Sequence, residues 1–159
     1  MTAEAVDRVR AYLHTHAPDL HVVEYEVSTA TAPLAAAAVG CEVGAIIKSL
    51  CFLIDGQPVV ALVAGDMKAD DRKLGALFGV NKGRVKIADA DTVARVTGFA
   101  IGGVAPVAHT EAVPVLIDAS LRRFATVYAA AGASNAIFAI PLDRLAQLTG
   151  GQFEDIIKG

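Results

Sequence analysis

The chain is poor in the residues that build metal centres and disulfide frameworks. Only two of its 159 residues are cysteines, Cys41 and Cys51, and they form neither a CxxC pair nor a Cys/His set at metal-ligand spacing. Nothing else points to an oxidising compartment, so both are expected to be reduced and structural. His14, His16 and His21 lie on or beside the first helical segment with no acidic or cysteine partner at ligand spacing. No metal and no cofactor is assigned to them or to any other residues. Long apolar runs are also lacking. The longest uncharged stretch, about Ala125 to Leu142, is broken by Gly132, Ser134, Asn135 and Pro141 where a lipid-exposed helix would suffer. It reads as two strands and a turn, and no membrane partner is expected. The first eight residues contain Glu4 and Asp7 and no apolar core of a signal peptide, so the expected location is the cytoplasm.

An excess of positive charge is missing too. The formal net charge is −3, which argues against a general nucleic-acid binder, because neutralised phosphates supply most non-specific affinity. The distribution is uneven, however. Lys68, Arg72, Lys73, Lys82, Arg84 and Lys86 against Asp70 and Asp71 put +4 on one stretch and leave −7 for the rest. Such a stretch could meet a phosphate backbone, or could be a solvated helix face with strand-end lysines.

The hydrophobic content of 54% suffices for one core, and 159 residues are too few for two ordinary domains, so residues 1–159 are read as a single domain. Val6, Val9 and Leu13 at helical spacing predict a helix over 4–16. A strand is expected over His21–Val27, a polar linker over Ser28–Ala32, and a short helix from Pro33 to Gly40. Ile46–Ile54 and Pro58–Val63 flank Asp55-Gly56, a strong hairpin signal. Asp70 can cap a helix carrying Leu74, Leu77 and Phe78, stopped by Gly79. A strand near 84–87, a helix over 89–97, strands at 113–117, 126–130 and 136–140, and a last helix opened by Pro141 and closed by Gly150 complete the pattern. Adjacent hairpins mixed with helices predict an α/β fold with a mixed or mainly antiparallel sheet.

Two segments carry the chemistry. Lys48 stands alone in Ile46-Ile47-Lys48-Ser49-Leu50-Cys51-Phe52-Leu53-Ile54, and a lysine within a central strand must find a partner or open onto a cleft. The alternative is a stem packed on the sheet with its tip in water, or a charge guarding an edge. Gly98-Phe99-Ala100-Ile101-Gly102-Gly103-Val104-Ala105-Pro106 has neither the G-x-G-x-x-G spacing nor a Gly-Lys-Ser/Thr ending. Its bare backbone could offer N–H groups to a carbonyl or a ribose, or could simply form a tight turn. His109, just beyond, could act as a base or a donor, or be incidental. A cysteine-dependent hydrolase built from Cys51 and His109 is disfavoured. Cys51 is on the strand face opposite Lys48 and has no evident group to lower its pKa.

The ordered set Ile46-Ile47-Lys48-Ser49-Leu50, Thr97 to Pro106 and Leu116-Ile117-Asp118 resembles the YbaK/ProX family, which includes the editing domain inserted in bacterial prolyl-tRNA synthetases. The resemblance spans essentially the whole chain. It implies a curved mixed sheet surrounded by helices and an aminoacyl-tRNA deacylase acting in trans. The substrate would be a mischarged tRNA, held by its 3′ end, and a synthetase such as prolyl-tRNA synthetase would be a further partner. It also implies that Lys48 is the catalytic residue and that Gly102, Gly103, Val104 and Pro106, with His109 beside them, bind the substrate. The amino acid removed stays open among cysteine, alanine, serine, threonine and other small residues. Relatives that act on cysteine carry a serine near Ala130 and basic residues where this chain has Ala133, Ser134 and Asn135. A non-catalytic module that binds aminoacyl-tRNA or a nucleotide is the alternative reading.

Overall fold

The computed structural model describes residues 2–159. Helix α1 (Thr2–His16) buries Val6, Val9 and Leu13, each side chain contributing about 1.5–3 kcal/mol by leaving water. Strand β1 (Val22–Glu24) is shorter than the predicted His21–Val27. Beyond Glu24 the backbone turns to a loop instead of a ladder, with the N–H groups of Tyr25 and Thr29 donating to Asn135 and Ser134 carbonyls. Helix α2 (Ala32–Val39) begins where the Thr31 hydroxyl accepts from the Leu34 N–H, and Gly40 closes it.

The centre is the hairpin β2 (Ile47–Ile54) and β3 (Gln57–Ala64), paired from Ile47↔Ala64 to Ile54↔Gln57 around Asp55-Gly56. Helix α3 (Asp71–Leu77) is capped by Asp70, and α4 (Ala90–Thr97) by Asp89, whose carboxylate accepts from the Thr92 N–H. The remaining elements are β4 (Val85–Ile87), β5 (Val115–Asp118), β6 (Thr126–Ala130), β7 (Ala136–Pro141), α5 (Leu142–Thr149) and β8 (Gln152–Glu154). The order in the larger sheet is β4-β2-β3-β5-β8, and in the smaller β1-β7-β6. A parallel bridge between Ile46 and Tyr128 joins them. The β3–β5 and β5–β8 pairs are parallel and the others antiparallel, so the architecture is the mixed, mainly antiparallel α/β type expected.

Asp118 is a buried carboxylate with a structural task. It accepts from the N–H groups of Ser120 and Ile156, both at 2.9 Å, and from the Ser120 hydroxyl, so it ties the 3-10 turn after β5 to the chain end.

One detail of register makes the site. On the side away from β3, β4 pairs only with Phe52 to Ile54, and Ala88 N–H reaches the Cys51 carbonyl at 3.0 Å. The smaller sheet meets the same side at Ile46. Between these, on the side away from β3, the Lys48 to Leu50 stretch of β2 pairs with no strand among the described residues.

Candidate functional site

A cavity of about 520 Å³ occupies that interruption. Lys48, Ser49 and Cys51 reach it from β2, Ala32 and Ala35 from α2, and Gly102 and Val104 from the loop after α4. Ala88, Val93, Ala130 and Ile137 complete a wall of small and aliphatic side chains. Such a lining offers shape but few hydrogen-bonding partners, so the polar groups present carry the chemistry.

Lys48 is half-buried, and its Nζ donates to the Met67 carbonyl. Burial lowers its pKa from the ordinary lysine value, Asp66 opposes that shift, and Lys68 adds to it. Asp66 does not neutralise Lys48 by direct pairing. Its carboxylate is held by Arg123 through two hydrogen bonds of 2.8 and 2.9 Å, and these hold its pKa below the usual aspartate range. The ammonium of Lys48 is therefore bonded to a neutral carbonyl, and its charge is available to an anion or a polarised oxygen entering the cavity.

The glycine loop is held by a clamp. Arg8 of α1 donates to the carbonyls of Thr97 (3.0 Å) and Ala108 (3.1 Å), and its guanidinium stacks 4.2 Å from the centre of the Phe99 ring. Within the loop Gly102 has φ +95°, a conformation that favours glycine. The Gly103 N–H is used by the Ala100 carbonyl at 3.0 Å, whereas among the described residues no acceptor takes the N–H of Gly102 or Val104. Neither amide is committed to a partner within the described chain.

The sequence-predicted residues thus divide. Lys48, Gly102 and Val104 share one cavity. Gly103 and Pro106 are buried behind it, Gly103 packed on the backbone of Gly132 and Ala133. The structure does not bring His109 to the cavity. Its Nε2 bonds the Ala105 carbonyl at 2.7 Å, its ring meets Phe99 edge-on, and burial lowers its pKa. That ring braces the loop. Cys51 does reach the cavity, but burial raises its thiol pKa and His109 is not placed to activate it. Of the small residues near the motifs, Ala130 lines the cavity, while Ala105 and Ala129 are buried in the main core. Sequence reasoning missed Thr29 to Ala35 as a wall, because Ser28 to Ala32 reads as a linker; the run of small residues from Ala30 to Ala38 was the available signal.

Residues 26–148 match the family model for the aminoacyl-tRNA editing domain. The chain belongs to that family. It is 35% identical over 129 residues to the uncharacterised protein YwhH of Bacillus subtilis (strain 168), covering 80% of each chain. It is 41% identical over 86 residues to the proline--tRNA ligase of Desulfovibrio desulfuricans, an alignment covering 54% of this chain and 14% of that protein. Among solved structures, a candidate trans-editing enzyme for prolyl tRNA synthetase is similar at 39% identity and TM-score 0.91, covering 98% of both chains. Membership makes the editing-domain protein a hydrolase of aminoacyl-tRNA esters and a contributor to translation fidelity. Among the described residues no helix is long and apolar enough to cross a membrane, and no cluster of three or more His, Cys, Asp or Glu could hold a metal ion.

Proposed function

We propose that the protein removes a small amino acid from a mischarged tRNA in trans, with Lys48 and the Gly102 to Val104 backbone as its chemical groups. The observation that carries this reading is that one lysine lines a single apolar cavity together with Gly102 and Val104, two loop residues whose N–H groups have no acceptor among the described residues. An aminoacyl ester is already activated toward water. Its hydrolysis requires mainly that the carbonyl be held, the developing oxyanion stabilised, and a water placed for attack. The amides of Gly102 and Val104 would receive the carbonyl oxygen as it gains charge, and Lys48 would act as a point charge toward that oxygen or toward phosphate at the 3′ end. Water adds to the carbonyl carbon, the bond to the ribose oxygen breaks, and the products are the free amino acid and an uncharged tRNA.

The alanines at 32, 35, 88 and 130 leave room in the cavity for the acyl group, since any larger residue there would subtract volume. Proline tRNA and prolyl-tRNA synthetase are the leading candidates for substrate and partner, because proline--tRNA ligases and a candidate trans-editing enzyme are among the relatives. Incubation with a panel of tRNAs charged with alanine, serine, threonine, cysteine and proline tests the reading. Release of at least one small amino acid, with loss of that activity in Lys48→Ala, is expected. No release from any member, or an undiminished rate in the variant, would overturn it, and tight binding without turnover would select a non-catalytic module.

A further inference from the structure

The two most exposed large hydrophobic side chains among the described residues are Ile101, at 65% relative exposure, and Ile87, at 63%. They come from different elements, the glycine loop and the edge strand β4, yet both line the same cavity as Lys48. Scattered exposed isoleucines need no explanation, but two that line one cavity do. Neither has a packing reason to be there. Ile87 follows Val85 on the same strand face, and Val85 is buried while Ile87 is left in solvent. Ile101 lies in a loop whose other large apolar members, Phe99, Val104 and Val107, are buried.

We infer that Ile87 and Ile101 form the seat of the unpaired terminal nucleobase of the charged tRNA. This rests on the deacylase reading and deepens it. Covalent connectivity sets where the base lies. The acyl group is esterified to the terminal ribose, and the base is attached to that same sugar. With the acyl group inside the cavity and its ester beside Lys48, the ribose stands in the mouth and the base must lie against the rim. A base needs flat apolar contact on its face, and apolar side chains supply this without sequence readout.

Because both positions are exposed, Ile87→Ser and Ile101→Ser should fold normally. The experiment measures kcat/KM for one aminoacyl group presented on full-length tRNA, on adenosine, and on an abasic ribose. The wild type should cleave the adenosine ester about tenfold better than the abasic one. Each serine variant should lose most of that preference while cleaving the abasic ester at the wild-type rate. Equal losses on both esters, or no loss on either, would overturn the inference while leaving the deacylase reading intact. Variants that turn a dimer into a monomer with the base preference preserved would overturn it in favour of a second copy covering this face. If the wild type cleaves none of the three esters, the deacylase reading itself fails and this inference with it.

Discussion

Replacing Gly103 with alanine tests how rigidly the loop is fixed behind the cavity. A Cβ built there would lie 2.8 Å from the Ala133 nitrogen and 2.9 Å from the Ala133 Cα and the Gly132 carbonyl carbon. All three are backbone atoms of the β6–β7 turn, so no side chain can swing aside. The same turn is tied to the loop by the Gly132 N–H donating to the Gly103 carbonyl at 2.9 Å. Forcing the two backbones apart should cost about 1–3 kcal/mol, as other overpacked interiors do. For a chain of this size that is a fall in Tm of about 2–12 °C. The displacement passes directly to the Gly102 and Val104 amides, and misplacing such groups by about 1 Å can cost about 10²-fold in rate. Gly102→Ala is the control. Its Cβ would meet only Ala30 Cβ at 3.6 Å, so its penalty comes from φ +95° and not from collision. Thermal melting and single-turnover deacylation of both variants decide the matter. If Gly103→Ala melts with the wild type and keeps full activity, the close-packed loop described above is wrong.

Three further outcomes are expected. Cys51→Ser should keep the wild-type rate per folded molecule while melting lower, because a buried hydroxyl without a partner costs about 1–3 kcal/mol; loss of the rate would restore a cysteine nucleophile to consideration. Folding depresses the His109 pKa, so the unfolded chain binds the extra proton first. Its contribution to stability is complete above the unfolded value of about 6.5 and is lost as pH falls from there toward the lower folded value. Chemical denaturation across that range should show a slope that His109→Gln reduces, and an unchanged slope would refute the assignment. Asp66 is also depressed, chiefly by hydrogen bonds from Arg123, so the stability that wild type holds over Asp66→Asn should be present near neutrality and should vanish as pH falls below the ordinary aspartate range near about 4. An advantage that persists in acid would contradict the pairing.

The sequence was most legible where local chemistry decides structure. Asp70 starts its helix and Asp55-Gly56 turns the central hairpin because side chain and backbone settle those points within a few residues. It was least legible where distant segments decide. Gln152-Phe153-Glu154 has no apolar run, and it becomes β8 only because β5 offers a parallel edge beside it. The candidate site was half visible. A lone lysine in an apolar strand and a glycine-rich loop can be read from sequence as polar groups seeking a ligand, and Lys48, Gly102 and Val104 do share a cavity. The gap in the sheet that creates the cavity depends on β4 pairing with Phe52 to Ile54 and no further along β2, a register that no local pattern announces. His109 was misleading for the same reason: the Ala105 carbonyl that occupies its ring nitrogen is set by the loop's path, not by neighbouring residue types.

The most direct test of the central claim is single-turnover loss of a small amino acid from mischarged tRNA by the wild type and by Lys48→Met, which keeps the length of the stem and removes the cation. A fall of about 10²–10³-fold, as for the loss of one transition-state contact, with Tm preserved, is the predicted result. A methionine variant that deacylates as fast as the wild type would contradict it.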